Sequence, residues 1–95
     1  MQKNNLVAFT ARAAGHVQGV GFRYTVKYLA QHLDLAGWVR NEPDGSVELF
    51  VQGPREQVED FLKRVEEMPA PARVTSFSIQ PGTVDEGRTQ FEVEY

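Results

Sequence analysis

Two stretches of this chain carry apolar residues at helical spacing, and each is flanked by stretches that alternate. Phe22, Val26, Leu29, Ala30 and Leu33 form the first stripe; Val58, Phe61, Leu62, Val65 and Met68 form the second. Residues at this spacing gather on one side of a helix, so each stripe needs an apolar cover. The flanking segments supply it. Leu6 to Ala13 reads as a strand, with Val7, Phe9, Ala11 and Ala13 on one face and Ala8, Thr10 and Arg12 on the other. Gly37 to Asn41 reads as a second strand, and Ser46 to Gln52 as a third with Val47, Leu49 and Val51 on one face. Between them Glu42-Pro43-Asp44-Gly45 has turn chemistry, which makes the pair a hairpin. Arg73 to Ile79 reads as a fourth strand and Pro81 to Gly87 as a loop. Gln90 to Tyr95 reads as a last strand with Phe91, Val93 and Tyr95 turned inward.

Punctuation agrees with this parsing. The first helix ends near Asp34, Gly53-Pro54 precedes the second, and Pro69 and Pro71 close it. The order is β-α-β-β-α-β with an added C-terminal strand. It predicts an α+β, ferredoxin-like βαββαβ sandwich: an antiparallel sheet of four to five strands with two helices on one face. At 95 residues the chain reads as a single domain, 1–95. A domain of that size buries roughly 60–65% of its unfolded surface, enough for one core.

Composition narrows the function classes. Hydrophobic residues at 41% and charged residues at 24% exclude a disordered chain. The absence of cysteine excludes a disulfide framework, a thiolate nucleophile and a Cys-based metal site. A net charge of −3 weighs against a nucleic-acid partner, which usually leaves a basic footprint. No apolar run approaches the ~20 residues of a membrane span, and Met1 to Asn5 lacks a leader's apolar stretch. The expectation is a soluble, cytoplasmic monomer with neither membrane nor nucleic acid as partner.

The stretch Gly15-His16-Val17-Gln18-Gly19-Val20-Gly21-Phe22-Arg23 joins the first strand to the first helix. Its glycines allow close backbone approach to a ligand, and successive N–H groups in such a turn can hold an anion. The following helix start adds unpaired N–H groups and a favourable dipole. Arg23 falls in the first helical turn, where its planar guanidinium can bind two phosphate oxygens. The spacing is neither a Walker A loop, since Gly-Lys-Ser/Thr is missing, nor the dinucleotide fingerprint, since Tyr24 stands where a third glycine belongs. By itself the loop fits two readings: an anion site, or a tight connection with Arg23 merely solvated.

The same stretch, Gly15-x-Val17-Gln18-Gly19-Val20-Gly21-Phe22-Arg23, resembles the signature of the acylphosphatase family. So does Gly37-Trp38-Val39-Arg40-Asn41, followed by Asp44-Gly45-Ser46-Val47-Glu48 and Gln52-Gly53. The blocks occur in that family's order and spacing, and the likeness continues to Phe91-x-Val93-x-Tyr95. The resemblance implies hydrolysis of the carboxyl-phosphate bond of acyl phosphates, with inorganic phosphate as product. It implies that the backbone of Val17, Gln18, Gly19, Val20, Gly21 and Phe22 wraps the phosphate, that Arg23 binds it as the cation, and that Asn41 orients the attacking water. No metal or organic cofactor is implied. The chemistry suits these residue types. A carboxylate leaving group needs little help from an acid, so holding the phosphoryl group and aiming water remain. An Asn both donates and accepts, whereas an Asp would repel the phosphate.

Two residues depart from the resemblance. His16 lies where the family often has a basic residue such as Arg, and reads as an exposed loop histidine. Glu42 lies where many members have a hydroxyl residue; with Asp44 it reads as part of a polar turn rather than an acid/base pair. His32 reads as surface. Trp38, Phe61, Phe77, Phe91 and Tyr95 read as core, and Glu56, Glu59, Lys63 and Glu67 as the solvated face of the second helix. One alternative is a non-catalytic acyl- or carbamoyl-phosphate-binding module of the same fold. Another, an RNA-binding domain, lacks the basic-aromatic run that stacks bases, since Ser46 to Gln52 carries only Phe50.

Overall fold

The computed structural model describes residues 5–95; residues 1–4, part of the stretch without a leader's apolar run, lie outside it. Seven elements follow one another: β1 (Leu6–His16), α1 (Phe22–His32), β2 (Ala36–Asn41), β3 (Val47–Pro54), α2 (Arg55–Glu66), β4 (Arg73–Pro81) and β5 (Phe91–Glu94). The strands form one sheet in the order β4-β1-β3-β2-β5. β1 pairs antiparallel with β3 and β4, and β3 pairs antiparallel with β2. β5 pairs parallel with β2, so the expected antiparallel sheet is a mixed one. The cause is the route of the chain. β4 ends at the end of the sheet where β5 begins, so the connection 82–90 runs along that end, and β5 leaves it in the direction of β2.

That connection is anchored rather than loose. The buried Gln52 side chain donates Nε2 to the carbonyls of Asp85 (2.8 Å) and Arg88 (3.1 Å), and its Oε1 accepts from the Asp85 N–H at 2.7 Å. Arg88 Nη1 donates to the Gly37 carbonyl at 3.2 Å.

The strand alternation sends Ala11, Ala13, Val39, Val47, Leu49, Val51 and Phe91 to one face, where both helix stripes meet them. Phe22, Val26 and Ala30 of α1 are buried there, as are Val58, Phe61, Leu62 and Val65 of α2. Burying each Val, Leu or Phe contributes about 1.5–3 kcal/mol, so this layer holds the helices on the sheet. Phe61 and Phe91 pack tilted at 5.8 Å between ring centres.

β1 runs three residues beyond the expected Ala13, because Gly15 continues the pairing with β4 through a register shift. Its φ is 128°, and a Cβ there would run into the Arg73 carbonyl and the Thr75 amide. This glycine permits a close backbone approach rather than opening a loop. Tyr95 corrects another expectation. β5 stops at Glu94, and Tyr95 is 88% exposed instead of inward. Trp38 is half-buried on the face without helices, where it stacks on Phe50 at 6.3 Å. Glu56, Glu59, Lys63 and Glu67 are exposed.

The registers bring five strand ends together. His16 of β1, Asn41 of β2, Val47 of β3, Arg73 of β4 and Glu94 of β5 all lie at one end of the sheet. The loop into α1 starts there as well.

Candidate active site

Val17 is 1% exposed and belongs to the core, and Val20 packs against it. These two apolar residues hold the loop down while Gly19 and Gly21 turn it, with φ of 77° and 75°. Gly21 is the left-handed N-cap of α1 and has no side-chain cap. The first helical hydrogen bond runs from the Thr25 N–H to the Gly21 carbonyl at 3.1 Å. Among the described residues, the N–H groups from Gln18 to Tyr24 find no acceptor within the protein. No acidic residue occupies the first turn. A run of unpaired donors at the positive end of a helix is an anion cradle.

Arg23 stands half-buried beside it. Its Nη1 donates to the Glu94 carbonyl at 3.3 Å, and its Cζ lies 4.9 Å from the centre of the Tyr95 ring. The Tyr24 and Tyr95 hydroxyls hydrogen-bond to each other, which raises the Tyr95 phenol above its ordinary pKa. Among the described residues no carboxylate forms an ion pair with Arg23. The guanidinium is braced by a carbonyl and a ring, and its charge stays uncompensated.

Asn41 ends β2 opposite Val47, on the helix side of the sheet, and is exposed. Among the described residues its side-chain amide has no hydrogen-bond partner. The turn that follows is tightly organised. Asp44 Oδ1 accepts from the Ser46 N–H (2.9 Å) and Oγ (2.6 Å), which lowers the Asp44 carboxyl below its usual range. Arg12 Nη1 donates to Ser46 Oγ at 2.8 Å. Glu42 accepts from Arg40 Nε at 2.9 Å, and this bond holds its carboxyl low as well. Both acids therefore belong to the turn and the open face. They do not form an acid/base pair beside Asn41.

The loop and the turn meet through one side chain. Gln18 Nε2 donates to the Glu42 carbonyl at 2.8 Å and to the Ser46 carbonyl at 2.9 Å. The sequence reading placed Gln18 in the loop for its backbone and missed this bridge. It missed the Tyr95 brace too. No spacing rule signals contacts between residues 24, 28 or 71 positions apart. His16 is exposed at the end of β1, and His32 is exposed in the last turn of α1. A hollow of about 400 Å³ lies at the opposite end of the sheet, lined by Asp85, Gly87, Arg88, Thr89, Gln90 and Glu92. There Arg88 has Asp85 at 3.6 Å and Glu92 at 3.9 Å, so its charge is already answered.

A family model described as acylphosphatase matches residues 9–93. An acylphosphatase of Rhodopseudomonas palustris (strain BisB18) is 54% identical over 71 residues, which cover 75% of this chain and 72% of that protein. A crystal structure of acylphosphatase from Bacillus subtilis superposes with a TM-score of 0.88 at 37% identity, covering 95% of this chain and 99% of that one. A structure of an acylphosphatase from Coxiella burnetii superposes with a TM-score of 0.90 at 31% identity, covering 99% and 100%. Among the described residues no helix is long and apolar enough to cross a membrane.

Proposed function

Because this chain belongs to the acylphosphatase family, we propose that its reaction, the hydrolysis of acyl phosphates, is divided between two sets of groups at one end of the sheet. The phosphoryl group sits in the loop Val17 to Phe22 and takes its hydrogen bonds from the backbone N–H groups there. Arg23 binds two of its oxygens and offsets the charge that develops on them. Asn41 holds the water, accepting from one of its hydrogens and directing its oxygen at phosphorus.

The step balances without a protein base. The water oxygen bonds to phosphorus, and the bond from phosphorus to the acyl oxygen breaks with its electron pair going to the carboxylate. One water proton passes to a phosphate oxygen. The products are a carboxylate and inorganic phosphate. The chain acts in this reading as one cytoplasmic domain and as a monomer, on small acyl phosphates.

The observation that carries the proposal is the uncompensated Arg23 guanidinium beside a run of unpaired N–H groups. Steady-state hydrolysis of benzoyl phosphate in EDTA tests it. Arg23→Ala should lose both turnover and phosphate inhibition. Asn41→Ala should lose about 100-fold in kcat while its phosphate inhibition constant stays within about threefold. Equal loss of phosphate binding in the two variants would overturn the division of labour. A folded wild type that binds phosphate without turnover would be a grip without hydrolysis.

A further inference from the structure

We propose that the Gln18 side chain is a positioning residue that sets the phosphate cradle in register with the water-holding strand end. The inference rests on the reading that the cradle and Asn41 share one reaction. It adds a role for a carboxamide that this reading uses only for its backbone N–H.

The geometry is a bridge between two separate segments. Gln18 lies in the loop between β1 and α1, half-buried. Its Nε2 reaches the Glu42 carbonyl at 2.8 Å and the Ser46 carbonyl at 2.9 Å, so both hydrogens of one amide are used across the gap. Glu42 is the residue directly after Asn41, and Ser46 faces it across the turn. One end of the bridge is thus fixed one residue from the water-holding amide. The other end is fixed in the middle of the donors that hold the phosphoryl group.

The bridge is not needed to satisfy the turn. The Ser46 carbonyl already accepts from the Glu42 N–H at 2.8 Å, and the Glu42 carbonyl already accepts from the Gly45 N–H at 3.1 Å. The turn has further ties in Asp44 and Arg12. Removing Gln18 leaves no buried carbonyl without a donor, so the turn keeps its shape. What is lost is the tie between loop and turn. In-line attack depends on the distance between a held phosphorus and a held water, and a misplacement of about 1 Å can cost roughly 100-fold in rate. Phosphate binding alone does not depend on where Asn41 stands.

Gln18→Met keeps the length and bulk and removes both donors. Gln18→Asn keeps the amide and shortens its reach by one methylene. Both should lower kcat by about 10- to 100-fold, with the inhibition constant for inorganic phosphate within about threefold and the thermal midpoint near that of wild type. A double-mutant cycle adds the readout that a general loosening would not give. In an Asn41→Ala background, Gln18→Met should cost less than about threefold more, because the water it aligned is already lost. Additive losses in that cycle would overturn the proposal. So would a rise in the phosphate inhibition constant matching the fall in kcat, since Gln18 would then hold the cradle itself. If Asn41→Ala alone kept full turnover, the underlying division of labour would fail instead, and the cycle would show it in its first corner.

Discussion

Two arginines of this chain look alike up close and differ in what surrounds them. Arg23 has its guanidinium 4.9 Å from the centre of the Tyr95 ring, and Arg40 has its own 4.5 Å from the centre of the Trp38 ring. Both face Glu94, Arg23 through the carbonyl at 3.3 Å and Arg40 through the carboxylate at 3.8 Å. Arg40, however, also pairs with Glu42 at 2.9 Å and Glu48 at 3.2 Å, and these bonds raise its pKa further. Arg23 has no carboxylate partner among the described residues. On the open face of the sheet positive charge is answered several times over, and at the loop it waits for a ligand. An arginine marks an anion site when its charge is left over beside a run of unpaired N–H groups, as at Arg23 and not at Arg40.

Four substitutions break or sharpen the contrast. Arg23→Ala should cost at least about 10³-fold in kcat/KM for benzoyl phosphate, since it removes an uncompensated cation from beside the reacting group. A loss under tenfold would put the two arginines on a par. Tyr95→Leu removes the ring that braces Arg23, an interaction of about 0.5–1 kcal/mol at an exposed site. Calorimetric titration with phosphate should show affinity weaker by about two- to fivefold. Among the described residues, Arg40→Gln leaves Glu42 and Glu94 without an ion-pair partner on the far face, and Glu48 with Arg12 alone at 3.9 Å. Phosphate affinity should fall by less than about threefold, and the difference should vanish in 1 M salt, where exposed charges are screened. Asp44→Asn should have the smallest effect, visible in stability against pH. The Asp44 carboxyl is held low by Ser46, so its ionised form contributes stability above the ordinary carboxylate range, and this is lost as pH falls through its folded value. Melting curves from neutral to acid pH should therefore drop less steeply in the variant.

The helices were legible from period and punctuation, though each ends earlier than expected, at His32 rather than near Asp34 and at Glu66 rather than beside Pro69, which leaves Leu33 and Met68 just beyond them. Strand ends were less legible. Gly15 reads as the start of a loop, yet it is the glycine that lets β1 pass close to Arg73, and nothing local distinguishes the two uses. The alternation of Phe91 and Val93 points Tyr95 inward, but the pairing with β2 ends at Glu94 opposite Arg40, and Tyr95 lies outside it. The parallel pairing of β5 was hidden for the same reason, since direction depends on where a connection runs and not on the residues that pair. At the site, the loop and Arg23 announce an anion in their own residue types. The brace from Tyr95, the bridge from Gln18 and the saturation of Arg40 are tertiary facts, each made by residues that meet only once the sheet is assembled.

The parallel edge strand carries a consequence of its own. β5 is four residues long, borders the sheet and, among the described residues, has β2 as its one strand neighbour. Short edge segments of this kind open at lower free energy than the strands inside a sheet. Its last residue, Glu94, is one that steadies Arg23, 71 positions away in the chain. Mild urea should therefore silence turnover while far-UV circular dichroism still reports an intact fold, making catalysis the first casualty of fraying and the most sensitive gauge of whether the far end of the chain has docked.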